Sequence, residues 1–349
     1  MVNVGLIGFG LSGRYFHAPF IKVNPRLNLV KVLTSKPESV KAFDAEIGVV
    51  NHVDSILNDP KIDLVFVCTP NDSHFDYAIK VLRAGKNVVI EKPFANTVRE
   101  AELLIEEAEK RDLVLTAYQN RRWDADFLTV QKVLASGELG EIIEFESHYD
   151  RFRLEVLSDT WKEVQAAGSG NLFNLGPHLI DQALILFGTP ESVTAKIKTV
   201  RPFGKTDDYF DIALDYNDKR IILKSSILAF NNDLRYVIHG TKGSFIKKGL
   251  DVQEPVLKTN VLPNIKNWGK ESESMYGNLY TINGTKTIES ELGNYSPFYD
   301  NLADAVLDKK ALLVTPQQVL NTTKIIELAQ KSNRLSKTIS TNSSFTNQL

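Results

Sequence analysis

Hydrophobic and polar residues follow two different patterns along the chain. In the first third, short runs of consecutive apolar residues alternate with segments in which apolar residues recur every three or four positions. The first pattern is typical of buried parallel strands and the second of amphipathic helices. The apolar runs cover residues 2–7, 27–33, 62–68, 88–90 and 113–117. This alternation predicts a doubly wound α/β domain built on a parallel sheet.

The pattern changes near Gly137. Along residues 141–149, Ile143 and Phe145 fall on one side of a predicted strand and Glu144 falls on the other. Further strand-like runs occupy residues 192–200, 209–216, 220–227, 234–239 and 244–246. They predict an α+β domain with a large, mainly antiparallel open sheet, one face of which is buried. We therefore divide the chain into residues 1–120 and 121–349, and we expect the polar tail after Ser336 to be frayed at its end.

Composition excludes several classes of protein. The chain has 349 residues and a formal net charge of -2, so it offers no basic surface that would favour nucleic acid. Cys68 is the single cysteine, which rules out an intrachain disulfide and a cysteine-pair metal site, and we predict no metal. No apolar run approaches the ~18 residues of a membrane span, and the first strand begins too early for a signal peptide. We expect a cytoplasmic protein.

A glycine-rich turn follows the first predicted strand. It consists of Gly8, Phe9, Gly10, Leu11, Ser12 and Gly13. In such turns the first glycine permits the tight bend, the second lets pyrophosphate approach the backbone, and the third lets the next helix pack on the strand. The free N–H groups of that helix favour phosphate binding. Pro19 lies inside the helical pattern, so we expect the helix to bend or restart there.

The end of the second predicted strand indicates which dinucleotide binds. A site for NAD has an acidic residue about 20 positions beyond the glycines, where it binds the ribose 2′-hydroxyl. The residues at this place are Thr34, Ser35 and Lys36, and the first carboxylate is Glu38. A hydroxyl and an ammonium group suit a 2′-phosphate, so NADP is preferred over NAD. The alternative is a polar turn without a role in cofactor binding.

The apolar run 88–90 leads directly into Glu91, Lys92 and Pro93. Open α/β sheets bind their ligands outside the carboxyl ends of the strands, so Lys92 is expected at the edge of a cofactor cleft. Pro93 ends the strand and favours an extended backbone at Lys92. If this motif stood alone, the simpler interpretation of Lys92 would be a surface lysine in a loop. The other motifs of the chain favour a position at a cofactor cleft.

Two further strands of the first domain also end in polar residues. The residues after the third apolar run are Thr69, Pro70, Asn71 and, at the start of the next helix, His74. His74 is predicted either to contact the nicotinamide side of a cofactor or to be a helix-terminal histidine. The last run of the domain is followed by Tyr118 and Asn120.

One apolar helix is predicted within the second domain, over residues 168–187. Asn171, Asn174, His178 and Asp181 are spaced so that they form one polar stripe along it. Because the helix is too apolar to be exposed, the stripe must line a polar cavity or bond within the protein. Pro177 lacks an N–H, so the helix is expected to bend there or to restart at Gly176.

These motifs together resemble the glucose-fructose oxidoreductase, inositol dehydrogenase and MocA family. The resemblance covers nearly the whole chain and rests on the motifs at residues 8–13, 68–74, 91–95 and 168–182. The run GFGLSGRYFHAPF is most similar to the NADP-dependent scyllo-inositol dehydrogenase branch. The family fold is a Rossmann domain followed by an α+β domain whose open sheet usually pairs subunits. The resemblance therefore implies NADP as the cofactor, a polyol or sugar substrate, and a homodimer or homotetramer.

The resemblance also implies roles for single residues. Lys92 corresponds to the catalytic lysine, whose peptide bond to proline is often cis, and His178 to the histidine that handles the proton. Asn174 stands where the family has an aspartate. Cofactor contacts are implied for the glycine-rich turn and for Ser35, Lys36, Thr69, Pro70, Asn71, His74, Glu91, Lys92, Asn120, Trp161 and Lys162. Substrate contacts are predicted for Tyr118, Arg153 and Asp181.

Two kinds of function remain open at this point. The first is hydride transfer between nicotinamide and a secondary alcohol or ketone, in which Lys92 stabilises the alkoxide and His178 moves the proton. The second is a catalytically silent regulator that binds NADP and a sugar. The presence of Lys92 and His178 favours the enzyme, and Asn174 favours the regulator because an amide cannot accept the proton.

Overall fold

A computed structural model describes residues 1–157, 163–342 and 345 of the chain. By contacts among its residues the chain divides into two units. The first unit comprises Met1–Asn120, Gln253–Trp268 and Asn294–Leu320. The second comprises Arg121–Val252, Gly269–Gly293 and Asn321–Leu349.

The first unit contains a six-stranded parallel sheet, which confirms the predicted doubly wound domain. Its strands are β1 (Val2–Ile7), β2 (Leu27–Leu33), β3 (Gly48–Val50), β4 (Leu64–Val67), β5 (Asn87–Ile90) and β6 (Leu115–Ala117). Their order across the sheet is β3-β2-β1-β4-β5-β6. Every residue of β4 is buried, as expected for a central strand of a parallel sheet. The strand order reverses between β1 and β4, which is where such folds bind dinucleotides.

Helices follow the strands of this unit. They are α1 (Ala18–Val23), α2 (Pro37–Phe43), α3 (Asp54–Leu57), α4 (His74–Arg83), α5 (Val98–Lys110), α8 (Gln253–Leu257) and α9 (Ser296–Asp308). A wide π-helical segment, Ser12–His17, connects the glycine-rich turn to α1. Pro19 occupies the first turn of α1, and His17 and Ala18 at the junction keep right-handed helical angles, so the helix changes from π to α next to this proline without a break.

The second unit contains a nine-stranded, mainly antiparallel sheet, which confirms the predicted fold of the second half. Its strands are β7 (Ile142–His148), β8 (Ser192–Lys198), β9 (Tyr209–Asp215), β10 (Arg220–Ser226), β11 (Leu234–Gly240), β12 (Gly243–Lys248), β13 (Gly277–Thr281), β14 (Gly284–Ile288) and β15 (Ile339–Ser340). Their order is β14-β13-β12-β11-β7-β10-β9-β8-β15. The pair β7 and β10 is parallel, and the other named pairs are antiparallel.

The helices of the second unit are α6 (Ala125–Ala135), α7 (Gly170–Phe187) and most of α10 (Pro316–Leu335). The apolar residues of α7 join Phe145, Phe210 and Tyr236 of the sheet in one buried core. Helix α7 continues through Pro177 without interruption, so of the two expectations for this proline a restart at Gly176 is wrong. Tertiary packing of the apolar helix offsets the cost of the missing N–H.

One expectation about the second sheet needs correction, and one strand was not predicted. Within the polar tail after Ser336, Ile339 pairs with Val193 and adds an edge strand to β8. The end of the tail, where fraying was expected, lies outside the described residues. Ile143 does not share the buried side of Phe145 and is 51% exposed. The register between β7 and β11 shifts between His239 and Gly240, opposite Ile143, and an irregularity of this kind turns a side chain to the other face.

Candidate active site

The three glycines of the turn after β1 each meet a different environment. Gly8 has a φ of +99°, and a Cβ on it would lie 2.6 Å from the carbonyl oxygen of Cys68. A Cβ on Gly13 would lie 2.3 Å from the carbonyl oxygen of Gly8. A Cβ on Gly10 would meet no protein atom within 4 Å. Two glycines are therefore required by close backbone packing, and the open side of Gly10 leaves room for a pyrophosphate.

The other predicted cofactor residues near this turn differ in exposure. Phe9 is buried and contacts the ring of Phe43 edge-on, whereas Leu11 is half-exposed. Ser35 and Lys36 are exposed directly after β2. No ion pair involves the Lys36 ammonium within residues 1–157 and 163–342.

Glu91 lies at the carboxyl end of β5 and connects it to the glycine-rich turn. The Ser12 hydroxyl donates to Oε1 of Glu91, and the backbone N–H of Lys92 donates to Oε2 at 3.0 Å. Although burial alone would raise the pKa of Glu91, hydrogen bonding and charge from His17, with Ser12 and Lys92, lower it to about 2. The Lys92–Pro93 peptide bond is cis, as the resemblance implies.

The loop after β4 is fastened to the loop after β5. The two ring nitrogens of His74 lie 2.8 Å from the carbonyl oxygen of Pro93 and 2.9 Å from that of Thr69. Burial lowers the pKa of His74, although the hydrogen bonds to these two carbonyl oxygens act in the opposite direction. Asn71 is buried, and its carbonyl oxygen accepts from the side chain of Asn96, while Pro70 is exposed. His74 thus holds the backbone around Lys92.

Tyr118 and Asn120 follow β6 and are both buried. The ring of Tyr118 contacts those of His17, Phe298 and Tyr299, with centroids 4.5, 5.1 and 5.9 Å away. The first unit therefore brings together, at the carboxyl ends of its parallel strands, residues that were predicted from four separate motifs.

The polar stripe of α7 bonds within the second unit at both of its ends. The side chain of Asn171 donates to the Ser225 hydroxyl at 2.7 Å. The carboxylate of Asp181 accepts two hydrogen bonds from Arg122, at 2.8 and 2.7 Å. Between them, Asn174 is half-buried and His178 is 5% exposed. Asp181, predicted as a substrate residue, thus neutralises a buried guanidinium one turn beyond His178.

Gln182, the next residue of α7, is fixed by a second arginine. Arg235 has no exposed surface and pairs with Asp126 at 2.8 Å. The same guanidinium donates at 3.0 Å to the side-chain oxygen of Gln182, whose amide donates to the carbonyl oxygen of Arg121. The orientation of α7 therefore depends on two buried arginines from distant segments.

The segment before α7 contains three of the predicted residues. Arg153 forms an ion pair with Glu163, which also pairs with Arg201 at 3.0 Å. Arg153 is thus occupied by a carboxylate of its own unit. Trp161 and Lys162, predicted to line the nicotinamide pocket, lie outside the described residues.

The amino end of α7 is closed by an acid from another loop. The backbone N–H of Leu172 donates to the carboxylate of Asp207 at 2.6 Å. A Cβ on Gly170, which has a φ of +89°, would lie 2.0 Å from this carboxylate. Burial raises the pKa of Asp207 to about 6 in spite of the backbone donors.

The described residues contain no cluster of three or more histidine, cysteine or acidic side chains that could hold a metal ion. In the same part of the chain, no helix is long and apolar enough to cross a membrane.

Comparison with known proteins places this arrangement in a family. A model of the oxidoreductase family, NAD-binding Rossmann fold, matches residues 2–119. A model of the oxidoreductase family, C-terminal alpha/beta domain, matches residues 131–341. The chain belongs to the glucose-fructose oxidoreductase, inositol dehydrogenase and MocA family. The resemblance inferred from the motifs is confirmed.

Several family members are similar over nearly the whole chain. The scyllo-inositol 2-dehydrogenase (NADP(+)) IolW of Bacillus subtilis (strain 168) is 40% identical over 342 residues, covering 97% of this chain and 95% of that protein. The oxidoreductase YdgJ of Escherichia coli (strain K12) is 40% identical over 335 residues, covering 95% and 96%. The solved structure of oxidoreductase yvaA from Bacillus subtilis has a TM-score of 0.94 at 39% identity and covers 97% and 98%.

Three residues with evident structural roles were missed from the sequence. His17 lies in a helical pattern and gives no signal apart from its place shortly after the glycine-rich turn. Arg122 lies in the polar run after β6, but its pairing with Asp181 depends on tertiary structure. Arg235 lies in a strand of ordinary composition, and no local pattern marks it.

Proposed function

We propose that this protein is an NADP(H)-dependent oxidoreductase that transfers a hydride between nicotinamide and a secondary alcohol or ketone of a cyclic polyol or sugar. The observation that carries the proposal is the position of Lys92 directly after β5, joined to the glycine-rich turn through Glu91 and Ser12. A lysine held beside a dinucleotide turn is suited to act on a substrate oxygen.

Lys92 would supply the charge that the reaction requires. Reduction of a ketone develops negative charge on the carbonyl oxygen, and an ammonium placed at that oxygen stabilises the charge as it forms. When bound, the nicotinamide supplies or accepts the hydride. We propose that Lys92 donates a hydrogen bond to the substrate oxygen during this step.

His178 is proposed to give or take the proton of the same oxygen. An imidazole can do so near neutral pH without a large change of its environment. Asn174, one turn earlier on α7, can only hydrogen-bond, so the proton work would fall to His178 and Lys92. Asp181 would serve indirectly, because its pair with Arg122 fixes the helix around His178.

NADP is proposed over NAD on the basis of Ser35 and Lys36. Both are exposed after β2, where an NAD site would carry a carboxylate for the ribose 2′-hydroxyl. The dehydrogenase IolW, whose name specifies NADP(+), supports this preference. Glu38 lies in the first turn of α2 and is the nearest acid in sequence.

The substrate class follows from the relatives, among which are the scyllo-inositol 2-dehydrogenase and an inositol 2-dehydrogenase of Rhizobium meliloti. We expect NADPH oxidation with inosose or related cyclic ketones, and NADP⁺ reduction with inositols. The test is a screen of NADPH fluorescence over inososes, sugar ketones and linear ketones. Turnover of linear ketones alone would refute a polyol substrate.

A catalytically silent, NADP- and sugar-binding regulator is the second candidate, and Asn174 is the observation that favours it. The turnover of the wild type distinguishes the two functions. If the wild type binds NADPH and a sugar but oxidises no NADPH with any ketone, the regulator is the correct function. Turnover by Asn174→Asp would then assign the loss of catalysis to Asn174.

We also expect a homodimer or homotetramer formed through the second sheet. A row of half-buried and buried side chains crosses one face of five adjacent strands and consists of Ala213, Ile222, Glu146, Val237 and Ile246. Four of the five are apolar, and apolar side chains gathered on a sheet face are typical of an interface between subunits. Light scattering at micromolar concentration checks this, and a monomer would contradict it.

A further inference from the structure

The turn between β8 and β9 holds a phenylalanine in a backbone conformation that favours glycine. The N–H of Gly204 donates to the carbonyl oxygen of Arg201 at 3.2 Å and closes a four-residue turn with Pro202 and Phe203 at its centre. Phe203 has a φ of +64° and is 93% exposed. A proline followed by a left-handed residue is typical of a type II turn, whose third residue is normally glycine or asparagine. The strained backbone thus exposes an aromatic ring that makes little contact within its own chain.

Buried charges hold this turn in place. The carboxylate of Asp208 accepts from the backbone N–H groups of Val200 and Arg201, at 2.6 and 3.3 Å. The guanidinium of Arg201 donates to Asp208 at 2.9 Å and to Glu163 at 3.0 Å, and all three side chains are buried. Phe203 is therefore carried on a firmly held support, which reduces the entropy lost when another molecule binds the ring.

Two other phenylalanines are exposed at the same end of the second sheet. Phe152 and Phe230 follow β7 and β10, and their rings meet edge-on with centroids 4.8 Å apart. The N–H of Ile227 donates to the carbonyl oxygen of Asp208 at 3.0 Å, so the segment after β10 lies beside the turn that carries Phe203. Within the part of the chain that the structure describes, no other phenylalanine is exposed. We call Phe152, Phe203 and Phe230 the aromatic end of the sheet.

The aromatic end adjoins the open face of the sheet. His148 contacts both Glu146 and Asp150, so alternate residues of this part of the chain share one face. Continuing the alternation places Phe152 on that face, where Ile222 is the partner of Glu146. The apolar row and the aromatic end therefore belong to one continuous surface.

We propose that the aromatic end binds a second copy of this chain, with Phe203 as the anchoring side chain; the proposal rests on the oligomer expected above and not on catalysis. A stable interface takes about 20–30 residues from each partner, and the apolar row supplies four, so the interface must extend along the face. At the other end of the face lie Glu144 and Arg220. Because interface cores are depleted in charged residues and enriched in aromatic ones, the extension is toward Phe203.

The test compares the self-association of the wild type, Phe203→Gly and Phe203→Asn by sedimentation velocity over a range of concentrations. Both replacements tolerate a left-handed backbone, so the turn and the circular-dichroism spectrum should be kept. Loss of an anchoring aromatic side chain should raise the dissociation constant at least about tenfold. The matched control is Ile282→Ser, at the exposed tip between β13 and β14 of the same sheet, which should leave the dissociation constant unchanged.

Three results would contradict the proposal. An unchanged dissociation constant in both Phe203 variants would overturn it and leave the apolar row as the interface. A monomeric wild type would overturn it together with the expected oligomer. An equal weakening in Ile282→Ser would show that the effect is not specific to the aromatic end. Because none of these results depends on NADPH turnover, a failure of the proposed oxidoreductase activity would be recognised separately.

Discussion

The strand ends around Glu91 and the helix α7 both contain a buried carboxylate, but the two carboxylates are held in different ways. Three groups bind Glu91. Ser12 and His17 lie in the segment after β1, and the third is the backbone N–H of Lys92, the next residue after Glu91. Asp181 is bound by one guanidinium, that of Arg122. The surroundings of Glu91 follow from the parallel sheet, which brings the carboxyl ends of its strands together. The pair of Asp181 and Arg122 joins two positions that no sheet topology brings together.

This difference predicts where mutations will act. Substitutions near Glu91 should mainly alter the reaction rate or the preference for NADPH over NADH. They should have less effect on stability, because buried apolar strands stabilise the parallel sheet. Changes at Asp181 should mainly alter stability, because they leave a buried charge without its partner.

The largest expected effect is on the stability of the second unit. Asp181→Ala should lower the free energy of unfolding by about 3–5 kcal/mol, because the buried Arg122 loses its counter-ion. Asp218→Ala, at an exposed turn between β9 and β10, is the matched control and should change stability by less than about 0.5 kcal/mol. Urea unfolding measures both. If Asp181→Ala and Asp218→Ala were equally stable, the pair of Asp181 and Arg122 would not have the structural role assigned to it.

Lys92→Ala should produce a large loss of rate with little loss of stability. Removing a donor that acts on developing negative charge typically reduces kcat by about 10²–10³. NADPH affinity should hardly change, since the interaction strengthens in the transition state. Lys110→Ala, at the exposed end of α5, is the control and should retain wild-type kinetics. A Lys92→Ala enzyme with nearly full kcat would exclude the lysine from the chemistry.

Cofactor choice should change by a smaller factor. The wild type is expected to bind NADPH at least about tenfold more tightly than NADH, which corresponds to ~1.4 kcal/mol and is within reach of one charged contact to phosphate. Lys36→Ala should lose most of that preference while its NADH affinity stays the same. Fluorescence titration of both cofactors checks this, and a wild type that prefers NADH would contradict it.

The two regions should also respond to pH with opposite signs. The pKa of Glu91 is lowered to about 2, so its contribution to stability is present above about pH 4.5 and is lost as the pH falls. The pKa of Asp207 is raised to about 6, so its contribution is lost as the pH rises from about 4 to 6. Denaturation of the wild type, Glu91→Gln and Asp207→Asn across pH measures both slopes, and slopes of one sign would refute the contrast.

The sequence was most informative where function depends on backbone position. Gly8, Gly13 and Lys92 could be placed because strand ends and glycine turns have local signatures. Both sheets could be predicted because their strands follow regular patterns of apolar residues. The pairs Arg122–Asp181 and Arg235–Asp126 could not be predicted, since they join positions 59 and 109 residues apart. The strand at Ile339 was missed because two residues of a polar tail carry too little pattern.

The central claim is hydride transfer to a polyol ketone, and the most direct measurement is isotope transfer. NADPH carrying deuterium at its transferable position is incubated with the protein and an inosose, and the inositol product is analysed by mass spectrometry. We predict one deuterium in the product with the wild type and almost none with Lys92→Ala over the same time. Bound NADPH without deuterium in any polyol or sugar product would contradict the claim.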